Sequence, residues 1–429
     1  MSERTALTLI AVGALLSGGL AFVGAPVPPP PVPTVAHLSG MWAGYGVAVM
    51  LLLMARVPAV ERGVGADRLA RWHATGGRTI LVLILVHAVA ATLGWMQVQG
   101  VGPLTATAQV LGFPGLLAAT VATLLFCLVG AVSIRAARRR LSYETWHAVH
   151  LGTYVAVGLS FAHELAGPDL AGRPAVQLWW SLLYTSAFAL VVRYRLLDPV
   201  LRGWRHGMRV DRLIDEGHGV TTVLVRGRHL DDLRAEPGQF FRWRFLTAST
   251  WRSANPFSLS APPSDRFLRL TVKQVGDGTR AIARIPVGTR VLAEGPYGAM
   301  TERRRIGDGV LLLAAGVGIT PMRALFETVD APGGRLTLVY RAASPAEVLF
   351  REELERIAAA RGARLVLLTG RSSDPANALT AENLRAWAPD VADRDVFICA
   401  SPRFSAAARD ALDRAGVPRS RIHEEEFAF

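Results

Sequence analysis

The sequence predicts a six-helix membrane α bundle, followed by a small antiparallel β-barrel and an α/β doubly wound parallel sheet. Three observations carry this. The chain of 429 residues is 51% hydrophobic with a mean hydropathy of +0.29, and a chain of this length suits two or three domains. Its apolar runs of bilayer length, about 20 residues each, lie in the first half. Beyond them, short β-rich runs give way to alternating β and α patterns.

Taken in order, the apolar runs fall at 5–24, 36–55, 77–98, 105–134, 146–165 and 175–194. Six spans return both termini to one side. Arg56, Arg62, Arg68 and Arg71 lie between the second and third runs, Arg135, Arg138, Arg139 and Arg140 between the fourth and fifth, and Arg193 and Arg195 after the sixth. The opposite connections, around 25–33, 100–105 and 167–174, hold one basic residue, Arg173. An excess of arginine marks cytoplasmic loops, so the expected location is the cytoplasmic membrane with everything after the sixth span in the cytoplasm. The first run lacks a small-residue cleavage site and is expected as a retained helix. His37 and Trp42 open the second span as an interfacial anchor.

The net charge of +13 does not indicate nucleic acid, because the arginines are spread over membrane-flanking loops without a recognition motif. Two cysteines, Cys127 and Cys399, give neither a disulfide framework nor a cysteine-rich metal site.

Four histidines occupy the helical segments in two pairs, His73 with His87 and His150 with His163. Histidine inside an apolar span is costly unless it is paired or functional, and imidazole is an axial ligand of haem iron. Fourteen residues of helix separate His73 from His87, a rise of about 21 Å with the rings about 40° apart in azimuth. One face can therefore serve two haems. The second pair, thirteen residues apart, rises about 20 Å but is offset by about 140°, which a tilt, kink or π-bulge must absorb. His147, one turn before His150, is read as a non-ligand.

From about residue 211 the pattern turns to short β runs such as 220–226, 240–245 and 267–272, bounded by Gly and Pro, the mark of a small antiparallel barrel or sandwich. Beyond Gly309, strands at 310–315, 336–340, 365–369 and 395–399 alternate with helices starting at Pro321 and Pro345, predicting a doubly wound sheet. The domains are accordingly 1–200, 205–305 and 306–429. G-V-G-I-T-P at 316–321 follows a buried strand and opens a helix, where missing side chains admit a pyrophosphate to backbone N–H groups. Upstream, Asn255, Pro256, Phe257 and Ser258 offer an aromatic face and a hydroxyl, Lys273 a charge, and Gly276, Asp277, Gly278 and Thr279 a tight polar loop.

The order of motifs resembles the ferric reductase and NADPH oxidase family, a ferric-reductase-like transmembrane domain fused to a ferredoxin-NADP reductase-type module. W-H-A-T-G-G-R at 72–78 and Y-E-T-W-H-A-V-H at 143–150 are similar to its ligand-bearing segments. P-G-Q-F at 237–240, N-P-F-S at 255–258, V-K-Q-V-G-D-G-T at 272–279 and E-G-P-Y-G at 294–298 are similar to its flavin domain. G-V-G-I-T-P, C-A-S-P at 399–402 and the terminal Phe429 complete the series.

The resemblance implies FAD on Pro256, Phe257 and Ser258, with Val272, Lys273, Gly278 and Thr279 toward its pyrophosphate. It implies a nicotinamide nucleotide on Gly316, Gly318, Thr320 and Pro321, with Cys399 near the reacting ring and Phe429 covering the flavin. Two haem b groups fall between His73 and His150 and between His87 and His163, with Gly76, Gly77 and Gly152 allowing close approach of the macrocycles. Asn255 stands where relatives carry Arg or His, which shifts weight to Lys273, and Ala400 departs from the family's Cys-Gly turn. Arg341 closes the strand that meets the adenosine ribose, and no acidic residue stands there, so NADPH is expected over NADH, with NADH possible. The implied activity passes electrons across the bilayer to an outer-face acceptor, a ferric chelate or O2 reduced to superoxide. A protein partner is possible but not required; the alternatives are an electron-supply subunit for an exported protein and a membrane-tethered flavin reductase.

Overall fold

The computed structural model describes residues 1–22, 30–134, 140–141, 143–167, 169–332, 334–370 and 374–426. The chain forms two compact units, Met1–Leu196 and Leu197–Phe429.

The first unit is helical: α1 Glu3–Leu20, α2 Pro31–Met54, α3 Pro58–Val64, α4 Ala66–Gln99, α5 Pro103–Leu111, α6 Leu116–Ser133, α7 Tyr143–Ala166 and α8 Pro174–Val191, which runs on into a π-helical turn, Val192–Leu197. Prolines occupy the first turns of α2, α3, α5 and α8, where a missing N–H costs no helical bond. Ser2 caps α1, its hydroxyl accepting from the Thr5 N–H at 3.2 Å.

Among the described residues, five stretches are long and apolar enough to cross a bilayer: Glu3–Leu20, Pro31–Met54, Arg68–Gln99, Leu116–Ser133 and Pro174–His206. Helix α7 is 24 residues long, but Glu144, His147, His150, His163 and Glu164 dilute its apolar character. Two boundaries differ from the sequence expectation. The third span begins earlier, so that α4 carries both His73 and His87 on one 34-residue helix. The run 105–134 is broken between α5 and α6 by Gly112, Phe113, Pro114 and Gly115. Pro114 disfavours helical geometry before it, and Gly115 has φ +81°, a conformation that suits glycine.

Met41, Tyr45, Ala48, Trp180 and Tyr184 form the core of this unit. Facing outward are large apolar side chains such as Val82 and Val89 on α4 and Leu117 and Leu124 on α6, each at least 59% exposed. Such a surface suits hydrocarbon, which leaves no cost in exposing leucine and requires only that backbone groups pair within each helix. The protein is a membrane protein with several apolar helices.

The second unit opens with α9 Asp198–His206. Strands β1 Arg209–Gly217, β2 Val220–Arg226 and β5 Phe267–Lys273 form one antiparallel sheet, and β4 Asn255–Ser258, β3 Phe240–Phe245 and β6 Val291–Tyr297 another. In β3, Phe241, Trp243 and Phe245 are buried in alternation with Arg242 and Arg244, the period of two that a half-buried strand requires. The hydrogen-bonded ladder is not one continuous barrel. The two sheets share a core and are joined by the single bridges Arg209–Arg290 and Leu259–Leu270. The short helix α10 Asp277–Ile282 follows β5.

The rest is a five-stranded parallel sheet in the order β11-β10-β7-β8-β9, where β7 is Val310–Ala315, β8 Leu336–Ala342, β9 Arg364–Thr369, β10 Asp395–Ala400 and β11 Ile422–Glu426. Helices α11 Ile319–Thr328 and α12 Arg351–Arg361 pack on one face through Met322, Phe326 and Leu354. Helices α13 Ala381–Trp387 and α14 Pro402–Ala415 cover the other through Leu384, Phe404 and Leu412. The chain reverses direction across the sheet between β7 and β10, and ligands of doubly wound folds bind at such a point.

A buried ion cluster ties the two halves of this unit. Arg269 on β5 holds Glu353 of α12 with two bonds of 2.9 and 3.0 Å, and Arg323 Nε of α11 reaches the same carboxylate at 2.9 Å. Burial pushes Glu353 up, but the bonds and charges of Arg269 and then Arg323 outweigh it and hold the carboxyl below its ordinary value of 4.5. A carboxylate lowered by folding adds stability that is complete above its unfolded value and lost as pH falls through its folded one. Acid denaturation followed by circular dichroism should therefore show a shallower fall in stability below about pH 4.5 in Glu353→Gln than in the parent.

Candidate functional site

The histidines meet across two helices. His73 of α4 faces His150 of α7 with ring centres 6.0 Å apart and planes 69° from parallel. His87 faces His163 at 6.0 Å and 43°. Two imidazoles sharing one metal through bonds of about 2 Å stand with ring centres about 6 Å apart, so both pairs have the spacing of axial ligand pairs. His87 Nδ1 donates to the Ala36 carbonyl at 2.8 Å. Because a carbonyl only accepts, this fixes the tautomer and leaves Nε2 with a lone pair able to ligate a metal. The Nδ1 atoms of His73 and His150 are buried without a hydrogen-bond partner. A Cβ at Gly77 or Gly152 would meet nothing within 4 Å, whereas Gly76 abuts the Met50 side chain. These residues fit two bis-imidazole haems.

No bulge absorbs the unequal azimuths. Helix α7 is α-helical throughout, and the π-helical turn among the described residues is Val192–Leu197. His147 belongs to neither pair; its ring lies 6.3 Å from that of Trp146, which stacks on His150 at 5.0 Å.

Close packing holds the His87–His163 level. A Cβ at Gly115 would lie 3.2 Å from the backbone nitrogen of His163, so the start of α6 rests on α7 at His163 itself. Glu164, the next residue, accepts from Trp180 Nε1 at 2.8 Å and lies within hydrogen-bond distance of the Tyr184 hydroxyl at 3.3 Å and the Ser160 hydroxyl at 3.2 Å. Sequence reading passed over this residue, although a carboxyl inside an apolar run is itself a functional signal.

In the second unit the motifs converge at strand ends. Pro256, Phe257 and Ser258 lie on β4, and Ser258 Oγ is buried with no hydrogen-bond partner, a hydroxyl able to meet a flavin edge. Val272 is buried in the core, and Lys273 ends β5 exposed. A Cβ at Gly278 would meet nothing, and the Thr279 hydroxyl accepts from the N–H groups of Val275 and Gly276 at 2.9 and 3.0 Å, shaping the loop. Gly316 to Gly318 form the turn from β7 into α11, the Thr320 hydroxyl donates to the Val317 carbonyl at 3.0 Å, and Pro321 sits in the first helical turn.

A Cβ at Gly318 would lie 2.0 Å from the Cys399 carbonyl, so β7 and β10 approach at the reversal point by a contact that only glycine permits. Cys399 is fully buried, and burial, then the Glu425 charge, push its thiol well above the ordinary range. Arg341 is engaged, donating to the Asn377 carbonyl at 3.0 Å. Phe429 lies outside the described residues.

Residues 39–161 match the family of the ferric reductase like transmembrane component, and 312–410 match the oxidoreductase NAD-binding domain. The chain joins a ferric-reductase-like membrane region to an oxidoreductase NAD-binding domain. The first match contains His73, His87 and His150 and ends just before His163.

Over 202 residues, 46% of this chain and 57% of the relative, the sequence is 36% identical to the ferredoxin reductase component of 3-ketosteroid-9-alpha-monooxygenase from Mycolicibacterium smegmatis. It is 27% identical to the flavohemoprotein of Vibrio cholerae over 63% of this chain and 72% of that one. The chain thus spans little more than half the length of the first of these. The FAD/NAD binding domain of Vibrio cholerae nitric oxide dioxygenase aligns with 51% of this chain and 98% of its own at 24% identity and a TM-score of 0.42. The match to the NAD-binding domain makes the protein an oxidoreductase.

Two expectations follow from these contacts. Glu164→Leu strands the Trp180 N–H, a loss of about 1–3 kcal/mol, and should lower the thermal stability of the detergent-solubilised protein, while Glu164→Gln keeps an acceptor and most of that stability. Gly318→Ala forces β7 from β10 and should reduce NADPH binding at least tenfold in a titration of flavin absorbance, with bound FAD unchanged.

Proposed function

We propose that the protein carries electrons from cytoplasmic NAD(P)H through FAD and two bis-histidine haem b sites, across six membrane helices, to an acceptor at the outer face of the cytoplasmic membrane. The observation that carries this reading is the pair of cross-helix imidazole contacts at 6.0 Å in a chain that also holds a nucleotide turn at the reversal point of a doubly wound sheet. The flavin supplies the exchange between two-electron and one-electron chemistry, and haem iron the one-electron carriers.

The chain's own residues supply position. The Gly316 and Gly318 turn admits the nucleotide pyrophosphate, with Thr320 and Pro321 opening the helix behind it. Cys399 stands at the adjoining strand end. Phe257 and Pro256 would flank a bound flavin, with the Ser258 hydroxyl at its edge. Lys273, Gly278 and Thr279 would hold its phosphates at the end of the strand that Val272 anchors in the core shared by the two sheets. Arg341 would favour NADPH over NADH; Phe429, which the family resemblance assigns to covering the flavin, lies outside the described residues. An electron leaving a negative interior gains about 2.3 kcal/mol per 100 mV, which sets the direction. The acceptor in this reading is a ferric chelate or molecular oxygen.

A second reading rests on the relatives, one of which is named as the ferredoxin reductase component of a monooxygenase. Here the chain supplies electrons to a protein partner and shows little activity with small acceptors. An anaerobic optical spectrum with NADPH, followed by separate additions of oxygen and ferric citrate, tests both. Reduction of haem bands and reoxidation by a small acceptor supports the first reading; slow reoxidation by both supports the second, and absence of haem bands leaves a membrane-tethered flavin reductase. His87→Ala and His163→Ala should each lose about half of the haem absorbance while retaining NADPH-driven flavin reduction. Full haem content in either variant overturns the pairing.

A further inference from the structure

His37, expected from the sequence as an interfacial anchor, has a specific partner in the structure. His37 Nδ1 lies 2.8 Å from Asp169 Oδ2. His37 is on α2, and Asp169 is in the connection from α7 to α8. The histidine side chain is 32% exposed and the aspartate 18%. An anchor needs no carboxylate. A carboxylate bonded to Nδ1 fixes the imidazole's tautomer and direction, and turns Nε2 into the atom that exchanges a proton. Among the described residues no protein group bonds to that Nε2.

The dyad is tethered to the His87–His163 level from both sides. The carbonyl that accepts from His87 Nδ1 belongs to Ala36, so it is part of the peptide unit whose nitrogen is that of His37. Asp169 follows His163 by six residues in the connection that closes α7. The remaining charged group facing His37 is Arg173, whose guanidinium donates to the Asp169 carbonyl at 3.2 Å and the Leu20 carbonyl at 3.4 Å. A proton-exchanging nitrogen, a fixed carboxylate and a cation thus stand together beside the outer pair, at the end of α8 away from its continuation into the second unit.

We infer that the His37–Asp169 dyad is a proton donor to the outer-face acceptor, and that this acceptor is a small molecule of the quinone class, whose reduction takes up protons. For a quinone the step balances as one quinone, two electrons and two protons giving one hydroquinone. The electrons come from NAD(P)H by the proposed route, and His37 Nε2 passes protons singly to the reduced oxygen and regains them from the aqueous phase. Ferric chelates and superoxide formation take up no proton and have no use for the dyad. The inference rests on the proposed electron path, and the test separates the two.

In full-length protein in lipid nanodiscs, NADPH-driven reduction of a soluble benzoquinone is compared with reduction of hexacyanoferrate, which takes an electron without a proton. General acids contribute about 10²- to 10⁴-fold, so His37→Gln should lower the ratio of quinone to hexacyanoferrate rates by at least about tenfold and flatten its pH profile. Asp169→Asn should lower the ratio less, and haem absorbance should stay at the parent level in both. An unchanged ratio in His37→Gln overturns the donor role. Equal loss of both rates also overturns it, showing that the dyad only braces the helices. Parent protein that reduces its haems with NADPH but not benzoquinone rejects the acceptor class alone; parent protein that cannot reduce its haems rejects the electron path.

Discussion

Two imidazoles from different helices approaching to 6.0 Å inside an apolar bundle is the constraint around which the first unit is arranged. Nothing in hydrocarbon draws helices together by hydrophobic force alone, so the approach depends on small residues and on polar contacts. Gly115 lets α6 rest on the His163 backbone, and Glu164, Trp180 and Tyr184 join α7 to α8. The same contacts set the height and rotation at which each histidine faces its partner. The second unit meets a comparable demand differently, because in water its two cores are buried by the hydrophobic effect and the precise placement falls to backbone approach at Gly318.

Much of this was legible in the sequence because the signals are local and periodic. Apolar runs of bilayer length marked the helices, and the alternation of β and α runs after Val310 marked the parallel sheet. The His73–His150 and His87–His163 contacts match the pairing that the family resemblance implied. The strand ends carrying Gly316, Gly318 and Cys399 came together at the point where the strand order reverses.

What was not legible depends on contacts between distant segments. The break at 112–115 was hidden in a continuous apolar run, since a Pro beside two Gly interrupts a helix without changing hydropathy. The early start of α4 escaped notice because Arg68, Arg71 and Arg78 dilute the hydropathy around His73. Glu164 was overlooked beside a more conspicuous histidine, and its role appears only when Trp180 and Tyr184 are seen to face it. Asp169 likewise acquires meaning only from His37, 132 positions away. The barrel expectation placed strands at 220–226, 240–245 and 267–272, where β2, β3 and β5 lie, but periodicity carries no information on whether two sheets join by full ladders or by single bridges.

The hydrogen bond from His87 to the Ala36 carbonyl has a consequence for ligand strength. An imidazole whose Nδ1–H is held by a carbonyl is a more basic donor through Nε2 than one whose Nδ1–H is unpartnered, as in His73 and His150. More basic ligands favour the higher oxidation state of a bound iron. With iron bound at each pair, the two sites would be chemically unequal even though their ring spacing is the same, and an electron would rest more readily at the His73–His150 level than at the His87–His163 level.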